Sequence, residues 1–348
     1  MAGTSAAPPP GVVQVHPSLR CNLSCAHCYS MSGPRARAAL PVRAIVGALE
    51  DCAALGYGTV AVSGGEPLLF ADLPALLDGA RAAGLRTTVT TNGTLLDARR
   101  LDLLAGRVDV LAVSLDGPPD LHDRIRGRGA FARLEAGIGR ARDAGVPFGV
   151  VYTVGRSSWR DVAWAAGFAH AHGARLLQLH ALEAAGRATQ GLGGERPDDE
   201  VLLQVHVLTA ALRVLYRGAM VVQLDLVHRD EQAGPPHPLG VLCLQDDGTL
   251  VPSTYGLDRR YAVCDVTRTR VRDAWARFAA VRRPAVERLC ERVWGAFLAG
   301  DRLLVNWHEA LVAAAAEGGQ VDGLRDSAAR PARPAQVGHH SSRAGRPA

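Results

Sequence analysis

The sequence has no lysine, and all 39 residues of its Lys and Arg total are arginine. That absence excludes an internal pyridoxal phosphate Schiff base, a lysine general base and a P-loop lysine. Long apolar runs are also missing. None approaches the roughly 20 residues that a bilayer span needs, so a soluble protein with no membrane partner is expected. The stretch Met1 to Pro10 lacks the basic start and apolar core of a secretory signal. A cytoplasmic location is therefore expected, where reducing conditions keep the seven cysteines free for metal. The net charge of +5 comes from arginines interspersed with Ala, Gly and Asp rather than gathered in a stripe with aromatics. They read as solvated helical surface, and no nucleic-acid partner is expected.

What is present is concentrated near the start. Cys21, Cys25 and Cys28 lie in CNLSCAHCY with spacing CxxxCxxC. Three thiolates from one tight loop can bind three corners of a cubic iron-sulfur cluster, whereas the usual protein-held cluster takes four. The fourth iron is left open to chelate an amino and a carboxylate group. Zinc is the competing reading, with His16 or His27 completing a Cys3His set. A second motif, Gly64, Gly65, Glu66 and Pro67, follows the strand-like TVAVS. Its glycines let backbone approach a ligand and offer N–H groups. Glu66 can accept hydrogen bonds from a cationic amine, and Pro67 stiffens the exit.

Together the two motifs resemble the radical SAM superfamily. The resemblance implies one 4Fe-4S cluster on Cys21, Cys25 and Cys28, with S-adenosylmethionine (SAM) at the open iron and its methionyl amine at the GGEP turn. It implies that an electron, from a reductase such as flavodoxin or ferredoxin, cleaves SAM to a 5′-deoxyadenosyl radical that abstracts substrate hydrogen. The missing lysine disfavours the superfamily's aminomutases that hold pyridoxal phosphate.

Strand and helix patterns alternate through the first half. Strands are expected at Val12 to His16, Thr59 to Ser63, Leu85 to Thr91, Val108 to Gly117, Pro147 to Val154 and Ala174 to Leu182, with helices at 40–55, 73–83, 95–105, 131–144 and 159–171. Such βα units argue for parallel strands beneath helices. The fold class expected is α/β. The resemblance implies a partial (β/α)6 TIM-like barrel over residues 11–190, with chemistry at the strand C-terminal ends. A smaller α+β region is expected over 191–322, with a helix at 201–216, a strand at 221–227 and a hairpin turn at Asp247 and Gly248. Residues 1–10 and 323–348 are expected to be disordered.

Further site candidates sit where those strands end. Thr91 and Asn92 form a polar turn where the superfamily approaches SAM, and the same TNG is also an ordinary strand-ending turn. Ser114 and Asp116 resemble the S-x-D-G element of the peptide-modifying SPASM branch, which implies a contact with SAM's ribose. Asp116 can equally cap the following turn. His122, Asp123 and Arg126 continue that resemblance, and Arg126 can fork onto a carboxylate. Tyr152 and Thr153, then Gln178 and His180 on one strand face, place polar groups where apolar ones were expected. Glu183, Gly186 and Arg187 resemble a short segment after the sixth strand of relatives, which implies that Glu183 is a candidate substrate or SAM contact.

Downstream, LQDDGTLVPSTYG resembles the start of a SPASM domain with ligands missing. Ser253 stands where relatives place cysteine, and Cys243, Cys264 and Cys290 are scattered. An auxiliary cluster is therefore not expected, the alternative being a site that borrows His228 or His237. Cys52 reads as a buried small apolar residue. The branch implies maturation of a ribosomally made peptide. A small-molecule substrate (sugar, nucleoside or tetrapyrrole) is the runner-up, and a non-catalytic iron-sulfur or zinc module the rival of another class.

Overall fold

The computed structural model describes residues 11–231 and 233–317. The termini expected to be disordered, 1–10 and 323–348, lie outside the described residues. The first half reads β1 (Val12–Val15), α1 (Val42–Ala54), β2 (Thr59–Val62), α2 (Leu73–Ala82), β3 (Arg86–Thr91), α3 (Ala98–Leu104) and β4 (Val110–Leu115). It continues with α4 (Pro119–Arg126), α5 (Ala130–Asp143), β5 (Phe148–Val154), α6 (Val162–Ala171) and β6 (Leu176–Ala181). Strands β1 to β6 pair in sequence order and parallel throughout. Helix α4 is an addition that the sequence patterns did not mark. It is short and mostly polar, and it starts on Pro119 where the pyrrolidine ring is preset for a first helical turn.

The helices bury stripes at i, i+3, i+4 and i+7: Ile45, Ala48, Leu49 and Cys52 on α1, and Leu73, Leu76, Leu77 and Ala80 on α2. Val162, Ala165, Ala166 and Ala169 repeat this on α6. Beneath them Val13, Val15, Val60, Val62 and Val89 are buried, while their neighbours Gln14, Thr88 and Thr90 are only half-buried. Each strand therefore gives an apolar face to the helices and a more polar face to the other side. One apolar core results, running from Val13 to Ala315. Truncating Leu49 to Ala would remove about 3 kcal/mol from it.

The second half continues with α7 (Asp199–Leu215), β7 (Val221–Leu224), β8 (Val227–His228), β9 (Val241–Leu244), β10 (Thr249–Pro252) and β11 (Cys264–Asp265). After these come α8 (Val271–Val281), α9 (Arg283–Ala299), β12 (Leu304–Val305) and α10 (Trp307–Glu317). These residues extend the first sheet at both edges: β7 lies parallel to β6, and β9 lies parallel to β1. The expected strand 221–227 is split, because β8 leaves the sheet to pair with β12. The expected hairpin is present, joining β9 to antiparallel β10 around Asp247 and Gly248. Asp51 on α1 anchors the downstream region, accepting hydrogen bonds from Arg270 Nε at 2.9 Å and Nη2 at 2.6 Å, just before α8. No helix among the described residues is long and apolar enough to cross a membrane.

Candidate functional site

Parallel strands bring their C-terminal ends to one edge, so the loops after β1, β2, β3, β4 and β6 meet there. The loop after β1 carries the three cysteines. Cys21 and Cys25 are buried with Leu23, and Cys28 packs against them. As bare thiols Cys21 and Cys25 stay protonated. Burial pushes Cys21 up to about 11, and burial likewise raises Cys25. Metal coordination is what deprotonates such thiols. Among the described residues no three His, Cys, Asp or Glu side chains are gathered closely enough to hold a single metal ion. A cluster instead asks for sulfurs spread over three irons, and three soft thiols on one short loop suit it.

The GGEP turn is stitched to this loop. Gly65 N–H donates to Ser18 O at 2.9 Å and Glu66 N–H to Arg20 O at 2.8 Å. A Cβ on Gly65 would stand 2.1 Å from Arg20 O, and one on Gly64, whose φ is +99°, 2.7 Å from Ser18 O. The glycines are thus required by the approach of the cysteine loop's own backbone. Pro67 is buried and opens a short 3₁₀ turn whose Leu68 N–H donates to Glu66 Oε1 at 3.1 Å.

The Glu66 carboxylate is buried and reaches across to the turn after β3. Thr91 Oγ1 donates to its Oε1 at 2.8 Å, and Asn92 N–H to its Oε2 at 2.9 Å. Burial raises its pKa, against the lowering effect of these bonds and of Arg126. Asn92 Nδ2 continues to Asn22 Oδ1 at 2.9 Å and lies 3.9 Å from Cys21 Sγ. Glu66, Thr91 and Asn92 therefore connect the second and third strand ends to the first cysteine.

The fourth strand end reaches the same loop through Asp116. This fully buried carboxylate accepts from Arg126 Nε at 2.5 Å and Nη2 at 3.3 Å, and His27 Nε2 lies 3.0 Å from it. Burial alone would raise Asp116, but the charges of Arg126 and His27 hold it well below the usual carboxylate range. Arg126 does fork onto a carboxylate, that of a neighbouring strand end. Ser114 is half-buried on β4. His122 Nδ1 accepts from Asp116 N–H at 3.3 Å, and burial lowers its pKa to about 4. Asp123 is spent on the backbone N–H groups of Gly129 and Phe131.

In the segment after β6, where Glu183 is the expected substrate or SAM contact, Gly186 and Arg187 touch the cysteine loop. Arg187 donates from Nε to Cys25 O at 2.8 Å and from Nη2 to Ser32 O at 2.7 Å, while its N–H reaches Cys28 O at 3.0 Å. A Cβ on Gly186 would stand 2.3 Å from Tyr29 O. Glu183 accepts from Asn306 Nδ2 at 3.2 Å, and burial raises its pKa. Gln178 and His180 share a partner not visible in the pattern: both reach Asp225 Oδ2, at 2.7 and 2.8 Å. Tyr152 is a core residue whose hydroxyl donates to Ser158 O at 2.9 Å, and Thr153 is half-buried beside it.

His16 is fully buried, stacked on Tyr255 with centroids 4.4 Å apart, and neither ring nitrogen has a hydrogen-bond partner. Burial lowers its pKa to about 3, which keeps the ring neutral. The downstream cysteines lie on separate elements, Cys243 on β9, Cys264 on β11 and Cys290 on α9, all against the apolar core. Cys52 on α1 is fully buried there too. Ser253 adopts φ +66°. His237 Nδ1 accepts from Leu239 N–H and His228 Nδ1 from Asp230 N–H, local bonds at 3.2 and 3.1 Å.

Residues 15–168, which hold the cysteine loop, the GGEP turn and the turns after β3 and β4, match the family model described as the radical SAM superfamily. Residues 15–168 are a radical SAM domain. The chain is 34% identical over 148 residues to Fe-coproporphyrin III synthase of Methanosarcina barkeri, covering 41% of this chain and 37% of that protein. It is 31% identical over 243 residues to PqqA peptide cyclase of Ruegeria pomeroyi, covering 67% of this chain and 64% of that protein. The chain thus spans less than two thirds of the length of either relative. In fold it is similar to Streptococcus suis SuiB bound to S-adenosylmethionine, with a TM-score of 0.64 and 16% identity over 76% of this chain and 65% of that one. The partial (β/α) barrel expected of a radical SAM protein is the architecture observed.

Proposed function

We propose that this chain is a radical SAM enzyme that modifies a ribosomally made peptide. Cys21, Cys25 and Cys28 would hold one 4Fe-4S cluster, which would supply the electron that makes bound SAM a source of hydrogen abstraction from substrate. The observation that carries the reading is the meeting of three thiols of one loop, two of them buried, and the GGEP turn at one strand edge. In this reading Arg187 holds the carbonyls of the cysteine loop, while Glu66 and Asn92 keep the GGEP turn, Thr91 and Cys21 in register. Gly64, Gly65 and Pro67 shape the turn that receives the methionyl group. Asp116, with Arg126 and His27, sets the fourth strand end, and Ser114 stands beside it for the ribose.

The peptide class is favoured because the likeness to PqqA peptide cyclase runs over 243 residues, longer than the family match at 15–168. A small molecule such as a tetrapyrrole is the second reading, supported by the 34% identity to Fe-coproporphyrin III synthase. We assign no second cluster to Cys243, Cys264 and Cys290, whose positions on separate elements suit packing rather than ligation. Anaerobic reconstitution followed by incubation with SAM, reductant and peptides encoded beside the gene tests the proposal. It predicts about four irons per chain, 5′-deoxyadenosine, and a mass change in one peptide. One zinc per chain with SAM intact would contradict the enzyme reading. Turnover of tetrapyrroles alone would contradict the peptide reading.

A further inference from the structure

The two segments that wrap the cysteine loop are basic and free of acids. From Met1 to Leu49 the sequence has no Asp or Glu, although the whole chain carries 34 of them in 348 residues. Between Asp123 and Glu135 there is again none, and Arg124, Arg126, Arg128 and Arg133 fall in that interval. The fold joins the two segments at the cysteines. Ala26 N–H donates to Ile125 O at 2.9 Å, and Cys21 N–H donates to Gly33 O at 3.2 Å, two residues before Arg35.

Arg126 is buried on Asp116, but Arg20, Arg35, Arg124 and Arg128 are exposed, and none of the four forms an ion pair among the described residues. Exposed arginines elsewhere are of both kinds: Arg156 pairs with Asp198 and Arg302 with Asp199, whereas Arg86, Arg99 and Arg277 form no ion pair among the described residues. Asp123 is not free to balance the rim, since backbone N–H groups of Gly129 and Phe131 occupy its carboxylate. Unpaired surface charge adds little to folding. It does steer an oppositely charged partner onto the surface that carries it.

We propose that this arginine rim docks an acidic one-electron donor protein directly over the cysteine loop. The inference rests on the reading above, which requires an electron to arrive at Cys21, Cys25 and Cys28. In the encounter the donor is oxidised by one electron and the cluster is reduced by one, with no covalent bond made or broken. A transient redox contact needs only a small interface, and a rim of exposed arginines around a loop suits one that forms and separates quickly. Nucleic acid would meet the same charge. The rim borders the cysteine loop, with Arg20 next to Cys21 and Ile125 O bonded to Ala26 N–H, and that position favours the electron donor.

The test uses the reconstituted full chain, its Arg124→Glu/Arg128→Glu and Arg35→Glu double variants, and the charge-keeping Arg124→Lys/Arg128→Lys variant. 5′-Deoxyadenosine formation is driven either by reduced flavodoxin, an acidic flavoprotein, or by dithionite. Binding of oxidised flavodoxin to the protein without SAM is measured alongside, at low and high salt. The expected result is a loss of about tenfold or more in flavodoxin-driven rate and binding on charge reversal, with dithionite-driven rates within about twofold. The lysine variant should behave like the parent, and added salt should weaken the parent and not the reversed variants. Equal flavodoxin rates in parent and reversed variants would overturn the proposal, as would an equal fall with dithionite. Loss of binding to a DNA duplex with flavodoxin binding intact would also overturn it. If the parent makes no 5′-deoxyadenosine with either reductant, the enzyme reading fails, and the binding data alone still decide the docking surface.

Discussion

The first-half cysteines and the downstream cysteines are the same side chain in two different settings. Cys21, Cys25 and Cys28 lie on a loop, and their surroundings are tied by polar bonds from three other strand ends: Asn92 near Cys21, His27 to Asp116, and Arg187 on the carbonyl oxygens of Cys25 and Cys28. Cys243 and Cys290 sit within secondary structure, buried among aliphatic neighbours, and Cys264 packs on the same core. Burial pushes the Cys243 thiol up strongly, with no cation beside it to offset the effect. A thiol becomes a ligand site through its loop and the groups bracing that loop, and a thiol on a packed strand is a small apolar residue.

The contrast can be broken most forcefully at the loop itself. Cys25→Ala should abolish 5′-deoxyadenosine formation, while Cys290→Ala should leave the rate unchanged and lower stability by about 1 kcal/mol. Next in size is Glu66→Ala, which removes the acceptor shared by Thr91, Asn92 and Leu68. SAM affinity measured by equilibrium dialysis should fall by about ten- to a hundredfold, with the cluster's visible absorbance retained. Unchanged affinity would remove Glu66 from the cofactor site.

Arg187→Ala should speed iron loss to a chelator by about tenfold, the equivalent of one charged hydrogen bond. Arg187→Lys should rescue little of this, because an ammonium lacks the fork that reaches Cys25 O and Ser32 O together.

The smallest effect concerns how the two halves are held together. Burial alone would raise the Asp51 pKa, but the hydrogen bonds and charges of Arg270 and Arg272 lower it below the usual carboxylate value. Its contribution is therefore present above the unfolded carboxylate pKa and is lost as pH falls through the folded one. Breaking a fully buried pair costs roughly 3–5 kcal/mol, and here Arg270 is 36% exposed. Asp51→Asn should thus destabilise by about 2 kcal/mol at pH 7 after allowance for screening. Urea titrations should show the difference closing as the pH is lowered below the carboxylate range. A constant difference would mean that Asp51 acts through packing alone.

Much of the first half was legible because its signals are local. The apolar stripe of α1 and the alternation around Val13 and Val15 follow directly from period, and the CxxxCxxC and GGEP motifs mark loops whose chemistry depends on spacing. The partners of those motifs were not legible, since they arise from strand order. Nothing in the sequence near Glu66 says that Asn92 will donate to it, and Asp225 lies 47 positions from Gln178, its hydrogen-bonded partner. The glycines were identified for one reason and are needed for another, because only the fold shows Arg20 O pressed against Gly65. The extension of the sheet by β7 and β9 was hidden for the same reason: a four-residue strand carries no mark of which edge it will join.

In the proposed function the first three cysteines hold one cluster, the downstream cysteines hold none, and that one cluster opens SAM. Iron counting and 5′-deoxyadenosine assay on two triple variants test it most directly. Cys243→Ala/Cys264→Ala/Cys290→Ala should keep about four irons per chain and cleave SAM, while Cys21→Ala/Cys25→Ala/Cys28→Ala should hold almost none and leave SAM intact. If the downstream variant loses about half of the parent's iron, or the loop variant still cleaves SAM, the account is wrong.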